Sequence, residues 1–208
     1  MKLYLHPNAP NCMKVVMTAA QLNISLESEL VDLFQGAQHA PGYLAVNPNG
    51  TVPTLRDGDF VLWESNAIMQ YVAAMRPANT LWPTNERHRA DISRWQCWEL
   101  AHWSPAVGTY LRENMFKALK GQGDPDPEAL RRGDEKYHPL ASLLDRHLGS
   151  RDFLVGDGLT LADISVAAFL MYARPARVPL DDYQNIRSWL ARLEALPSWK
   201  VAQPPPRG

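Results

Sequence analysis

Cysteine is scarce in this chain of 208 residues: only Cys12 and Cys97 occur, far apart and outside any metal-ligand spacing. That rules out a disulfide framework, and neither a zinc site nor any other metal site is expected. Surplus charge of one sign is missing too. With 21 Lys and Arg against 22 Asp and Glu, and no basic run longer than Arg131–Arg132, nothing is set up to neutralise phosphates. A nucleic-acid partner is therefore not expected. No membrane segment and no internal repeat is visible, and the six histidines are scattered. The amino terminus reaches Pro7 too early for a signal peptide, so the expected location is cytoplasmic.

What is present is ample core material, 46% hydrophobic residues, enough for one large or two small domains. Lys2–Leu5 reads as a strand, Cys12–Leu22 as a helix through Val15, Val16, Ala19 and Leu22, and Leu26–Val31 as a second strand. A strand, helix, strand unit of this length predicts a parallel crossover. Phe34–Val46 is a loop with a short irregular helix around Pro41–Ala45.

The stretch from Asn47 to Tyr71 organises the first half. Turn residues Asn47 to Gly50 lead to a strand over Val52–Leu55 and a partner over Phe60–Leu62, with Asp57–Gly58 as the hairpin turn. Pro53 cannot donate to a ladder, so it belongs at the strand start or an edge, where an X-Pro bond is a candidate for cis. Val52 then has its own N–H and C=O to offer an extended, peptide-like ligand. Glu64 and Ser65 fall at the first turn of the next helix, whose N–H groups attract carboxylates, although Ser65 serves equally as a plain cap.

Beyond the Pro-bounded connector Pro77–Pro83 the strand signals stop. Helices are expected over Arg87–Leu119, Glu128–Leu148, Leu161–Ala173 and Tyr183–Leu196, with Pro204, Pro205 and Pro206 as an extended tail. Thr160 and Asp163 have capping-box spacing ahead of Ile164, a structural role. Trp95, Trp98 and Trp103 lie on one helical stripe, which core packing explains. Lys14 reads as a surface charge, Cys12 as a buried structural thiol and His6 as structural.

The βαβαββα order, the string Asn47-Pro48-Asn49-Gly50-Thr51-Val52-Pro53, the pair Glu64-Ser65 and the Leu161–Ile164 helix start together resemble the cytosolic glutathione transferase family over essentially the whole chain. The resemblance implies an α/β plus all-α protein. It would comprise a thioredoxin-like glutathione-binding domain over 1–77, a linker over 78–86 and an all-helical domain over 87–208 that contributes an electrophile site. It also implies a cytoplasmic homodimer acting in detoxification, with glutathione as co-substrate, no cofactor and an apolar electrophilic small molecule as second substrate.

Residue by residue, Val52 matches the family's backbone-pairing position and Pro53 its cis-proline. Glu64 and Ser65 match the pair holding the γ-glutamyl end, and Gln38 and His39 resemble contacts to the glycine carboxylate. The departure is Ala9, which stands where members keep a serine or cysteine, and Leu5-His6-Pro7 offers no tyrosine instead. The Asn8–Cys12 loop most resembles bacterial members with a Thr-Pro-Asn segment, which makes Asn11 the candidate catalytic residue and Asn8 a weaker alternative. A glutathione thiol is only a few per cent ionised at neutral pH, so donors must favour the thiolate, each contributing on the order of 1–3 kcal/mol. Conjugation, disulfide reduction and a binding or scaffold role without chemistry all stay open.

Overall fold

The computed structural model describes residues 1–204 and separates into two compact units. The first runs from Met1 to Pro83 and is joined by residues 196–204; the second is Thr84–Ala195. Residues 196–204, expected within the helical domain of 87–208, therefore pack with the first unit. The expected tail lies, from Pro205 on, outside the described residues.

In the first unit, β1 (Lys2–Leu5), α1 (Pro10–Gln21), β2 (Glu27–Leu30), α2 (Pro41–Leu44), β3 (Thr54–Asp57), β4 (Phe60–Trp63) and α3 (Ser65–Ala74) follow in order. The sheet runs β2-β1-β3-β4. Its β1–β2 pair is parallel, as the crossover predicts, and β1–β3 and β3–β4 are antiparallel. This is the thioredoxin-like arrangement. α1 and α3 pack together, and α10 (Pro197–Ala202) packs on α1, where the Ser198 hydroxyl donates to Gln21 Oε1 at 2.7 Å. Leu3, Val15, Met17, Leu55, Ile68, Met69 and Val72 are completely buried in this unit. Each such side chain contributes roughly 1.5–3 kcal/mol. Lys14 is also fully buried, not the surface charge its isolation in the sequence suggests. It lies in a turn of α1, Cys12–Val15, that is buried on every side.

The hairpin differs from its expected register by one residue. Asp57 pairs with Phe60, so the turn is Gly58–Asp59, with Gly58 at φ 63°. Gly58 thus takes the positive φ at the first of two central residues. Asp57, released from the turn, ties the hairpin to α3 through its Oδ2, which accepts from the Tyr71 hydroxyl at 2.9 Å.

The second unit is helical: α4 (Glu86–Trp98), α5 (Ser104–Leu111), α6 (Lys117–Leu119), α7 (Pro127–Leu148), α8 (Leu161–Ala167) and α9 (Gln184–Glu194). The helix expected over 87–119 is continuous but widens into π turns at Glu99–Trp103 and Arg112–Phe116. The first lies just before Pro105, whose ring crowds the carbonyl four residues back and has no N–H to give it. Trp103, Tyr137, Leu144, Ile164 and Trp189 form the buried centre, with Trp103 Nε1 donating to Val166 O at 3.0 Å. The start of α8 is held by Asp163. Its carboxylate accepts from Leu154 N–H, Thr160 N–H, the Thr160 hydroxyl and Trp189 Nε1–H at 2.8–3.0 Å. Among the described residues no helix is long and apolar enough to cross a membrane.

Candidate functional site

The loop after β1 turns at His6, whose carbonyl accepts from Ala9 N–H at 3.0 Å and whose Nδ1 accepts from Asn8 N–H at 3.2 Å. Those bonds, with the ring edge-on to Phe34 at 5.3 Å, give His6 a structural place. Burial pushes its imidazole below the ordinary value, with Asp32 pulling the other way. Ala9 is the N-cap of α1 and its methyl can cap nothing; Pro10 opens the helix. The carbonyl of Ala9 takes Cys12 N–H at 2.9 Å and Met13 N–H at 3.1 Å. Pro10 has no N–H at all. Among the described residues this leaves Asn11 as the first-turn position whose backbone N–H no carbonyl claims.

Cys12 is 1% exposed, and desolvation pushes its thiol up to about 12. A thiol so placed is protonated throughout the neutral range and is no nucleophile.

The loop before β3 is organised by a residue that reads in sequence as a turn former. Asn47 is fully buried. Its Nδ2 donates to Thr51 O and Thr54 Oγ1, both at 2.9 Å, and its Oδ1 accepts from Asn49 N–H and Nδ2–H, both at 3.0 Å. The Tyr43 hydroxyl of α2 donates to the same Thr51 O at 2.6 Å and lies 3.0 Å from Thr54 Oγ1. Sequence reasoning missed Asn47, Tyr43 and Thr54 as one network, because nothing in a string of turn residues announces a buried amide.

The network fixes Val52 and Pro53. Their peptide bond is cis, Pro53 is buried, and the ladder begins only at Thr54. Val52 therefore presents its backbone outside the β3 pairing, as its position before Pro53 predicts. Gly50, at φ 61°, comes so close to the short helical turn Ala37–His39 that a Cβ there would lie 3.2 Å from both Gln38 O and His39 Nδ1. This contact brings Gln38 and His39 beside the Val52 loop. His39 is exposed, and Gln38 Oε1 is buried without a hydrogen-bond partner among the described residues.

At the other end of the hairpin, Glu64 is exposed and holds φ 73°, ψ 111°, a conformation that L-residues avoid. It is the N-cap of α3, and no side chain caps that helix. Ser65 is thus not the cap that one reading allowed. Buried to 7% exposure, it turns its hydroxyl to Asn11 Oδ1 at 3.4 Å, across 54 residues of sequence. The starts of α1 and α3 converge on this pair, and each adds the partial positive charge of a helix N-terminus. Asn11, Ser65 and Glu64 are thereby gathered at two adjoining helix starts, with Val52 and Pro53 on one loop beside Gln38 and His39. The arrangement can receive carboxylates and an extended backbone, and at Asn11 it offers amide donors to a third anionic atom.

The chain has clear relatives. Residues 1–74 match the model of the glutathione S-transferase N-terminal domain, and residues 127–192 that of the C-terminal domain. Glutathione S-transferase D7 of Drosophila melanogaster is 30% identical over 201 residues, covering 95% of this chain and 86% of the relative. Among solved structures, glutathione transferase F7 from Populus trichocarpa superimposes with a TM-score of 0.89 at 27% identity, covering 97% of this chain and 96% of the other. A glutathione S-transferase-I bound with lactoylglutathione does so with a TM-score of 0.87 at 26% identity, covering 97% of each chain. Matched by the family over both halves and aligned to a named member along nearly its whole length, the chain belongs to the glutathione S-transferase family.

Proposed function

We propose that the protein is a glutathione transferase that activates its co-substrate through Asn11 rather than through a hydroxyl or thiol side chain. The observation that carries the reading is the Ser65–Asn11 contact at 3.4 Å, which joins the start of α3 to the start of α1. The γ-glutamyl carboxylate of glutathione meets the backbone N–H of Ser65 at the start of α3, and the exposed Glu64 with Ser65 Oγ takes the ammonium. The cysteinyl backbone pairs with Val52 N–H and C=O ahead of Pro53. Gln38 and His39 receive the glycine carboxylate. The sulfur then faces Asn11.

The chemistry at that point is charge stabilisation. With Asn11 Oδ1 accepting from Ser65, the amide turns its Nδ2–H donors away from the serine and toward the sulfur, beside the Asn11 backbone N–H. The thiol proton leaves to solvent, and the thiolate is held by these donors and the dipole of α1. Its lone pair forms a C–S bond to an apolar electrophile, whose leaving group departs with the bonding electrons. Glutathione is the co-substrate and no cofactor is needed. A disulfide reductase working through Cys12 is disfavoured, because burial pushes that thiol up and keeps it protonated. A binding or scaffold role is the competing reading, and Ala9 is its motive.

Pairing of two copies fits the β4 edge, where Phe60 and Trp63 are 46% and 43% exposed. Two free cysteines suit a reducing, cytoplasmic setting for thiol-based detoxification.

Calorimetry with glutathione, followed by assays on an aromatic halide and on a mixed disulfide, separates these readings. Binding with conjugation is expected; binding without either reaction would favour the scaffold, and no binding at millimolar glutathione would refute the proposal. Asn11→Ala should raise the pH midpoint of conjugation by about one unit while changing glutathione affinity little, since one such donor is worth roughly 1–3 kcal/mol. An unmoved pH profile would remove Asn11 from the mechanism.

A further inference from the structure

The loop between β1 and α1 begins at His6 and runs through Pro7, Asn8 and Ala9 to Pro10, and its two prolines carry no N–H. Its backbone donors after His6 are therefore Asn8 and Ala9, and His6 receives both. The ring Nδ1 accepts from Asn8 N–H at 3.2 Å and the carbonyl from Ala9 N–H at 3.0 Å. The Cys12 sulfur also has a backbone hydrogen bond to His6. One residue thus ties down the chain from the end of β1 to the first turn of α1, where Asn11 stands.

The ring does this with the atom position that an asparagine would use. A side-chain acceptor that bonds the N–H two residues on makes the turn favoured by Asn and Asp, whose oxygen lies where the histidine Nδ1 lies. Imidazole adds a second flank. It is 7% exposed and stands edge-on to Phe34 at 5.3 Å. Phe34 belongs to the turn after β2, in which Asp32 Oδ1 accepts from Phe34 N–H at 2.9 Å and Gln35 N–H at 3.2 Å, and Asp32 O accepts from Ala37 N–H at 3.0 Å. Ala37 opens the short helical turn that carries Gln38 and His39. The ring therefore lies between the loop leading to Asn11 and the turn leading to Gln38 and His39. Because Nδ1 accepts, the ring proton is on Nε2. Burial, opposed by Asp32 as the charged group facing the ring, keeps the imidazole neutral at neutral pH, so Nδ1 stays open to Asn8.

We propose that His6 is a positioning residue for the glutathione thiolate: by holding the loop from Pro7 to Pro10 it aims the Asn11 N–H and side-chain amide at the sulfur. This rests on the role given to Asn11 above. The Nδ1 acceptor carries the positioning, and the bulk of the ring carries packing against Phe34. Three substitutions separate the two. His6→Asn keeps an acceptor at the Nδ1 place, His6→Gln moves its amide oxygen one bond further out, and His6→Ala has no acceptor.

The whole protein saturated with glutathione is titrated with pH while the ultraviolet absorbance of the thiolate is read, with thermal unfolding alongside and Asn11→Ala as the reference. His6→Ala and His6→Gln should raise the thiolate midpoint by at least about half a unit, part of the shift of about one unit expected for Asn11→Ala. His6→Asn should restore the parental thiolate midpoint while its thermal midpoint falls with the loss of the ring. A merely structural histidine would lower the thermal midpoint in all three variants and leave the thiolate where it is. Equal thiolate midpoints in His6→Asn and His6→Gln, whether parental or raised, would overturn the proposal, and this contrast decides even where His6→Ala fails to fold. A midpoint moved by Asn11→Ala but by none of the His6 variants overturns this inference alone. One that Asn11→Ala leaves in place overturns the role of Asn11, and this inference with it.

Discussion

Replacing Asn47 by alanine removes four hydrogen bonds from the centre of the first unit, and the structure says what each loss costs. Thr51 O keeps the Tyr43 hydroxyl proton at 2.6 Å, and the Thr54 hydroxyl donates its own proton to the Tyr43 oxygen at 3.0 Å, so neither oxygen is left without a partner. Asn49 is exposed and its donors turn to water. With no buried group orphaned, the penalty is the net value of the bonds themselves, about 0.5–1 kcal/mol each and about 2–4 kcal/mol together. A domain stable by roughly 5–15 kcal/mol survives that loss. Its loop from Asn47 to Pro53 does not stay ordered, and ordering it becomes a cost of binding. Glutathione affinity should fall about tenfold, corresponding to about 1.4 kcal/mol of ordering.

Asn47→Asp sharpens the test. It keeps an acceptor for Asn49 but points a second oxygen at Thr51 O, 2.9 Å away in the parent. Two acceptors facing each other in a buried site should make this variant at least as unstable as Asn47→Ala. Urea unfolding and glutathione titration report the two effects separately. An Asn47→Ala protein with parental midpoint and parental glutathione affinity would refute the claim that this amide holds the loop.

Gly50→Ala should destabilise by about 1–2 kcal/mol and raise the KM for glutathione, because both the angle and the space are wrong. Its φ is 61° and the new Cβ meets the rigid Gln38 carbonyl at 3.2 Å, which urea midpoints and kinetics check together. Asp163→Asn places an NH₂ against at least one of the donors now sharing the carboxylate, leaving a buried N–H unpaired at a cost of about 2 kcal/mol, to be read from thermal unfolding. Glu113 is held down to about 2, first by the Lys117 ammonium and then by Asp126 N–H, against an ordinary 4.5. A depressed folded value gives stability that is complete above about pH 4.5 and lost as pH falls toward 2. The stability gap between the parent and Glu113→Gln should therefore close across that window in acid titrations.

The fold was legible wherever one residue's chemistry dictated its own backbone. Pro53 had to stand at the start of its strand or at an edge, the strand, helix, strand order gave the β1–β2 crossover, and Thr160 with Asp163 announced the start of α8. What stayed hidden depended on residues distant in sequence. Lys14 is buried by the packing of α1, which no isolated lysine reveals. The register of the hairpin moved by one residue because Asp57 is engaged by Tyr71, fourteen positions on. Gln38 and His39 were visible through the family resemblance, whereas the Gly50 contact that sets them beside the Val52 loop belongs to the tertiary structure.

Ala9 looked in sequence like a missing catalytic group, and the geometry of α1 changes what its absence means. A helix start offers four backbone N–H groups. Here Ala9 N–H is given to His6 O, Pro10 has none, and Cys12 N–H is given to Ala9 O. The first turn thus presents its unclaimed backbone donor at Asn11, the residue whose side-chain amide also stands there and is oriented by Ser65. A serine at position 9 would add a hydroxyl two residues earlier, but it would not supply the link to α3. In the proposed function, recognition of the γ-glutamyl end and stabilisation of the sulfur are coupled through one hydroxyl, because the single Ser65 proton goes to Asn11 Oδ1 while its oxygen accepts from the γ-glutamyl ammonium. Ser65→Ala accordingly affects both steps, whereas Ser65→Thr, which keeps the donor, affects them far less.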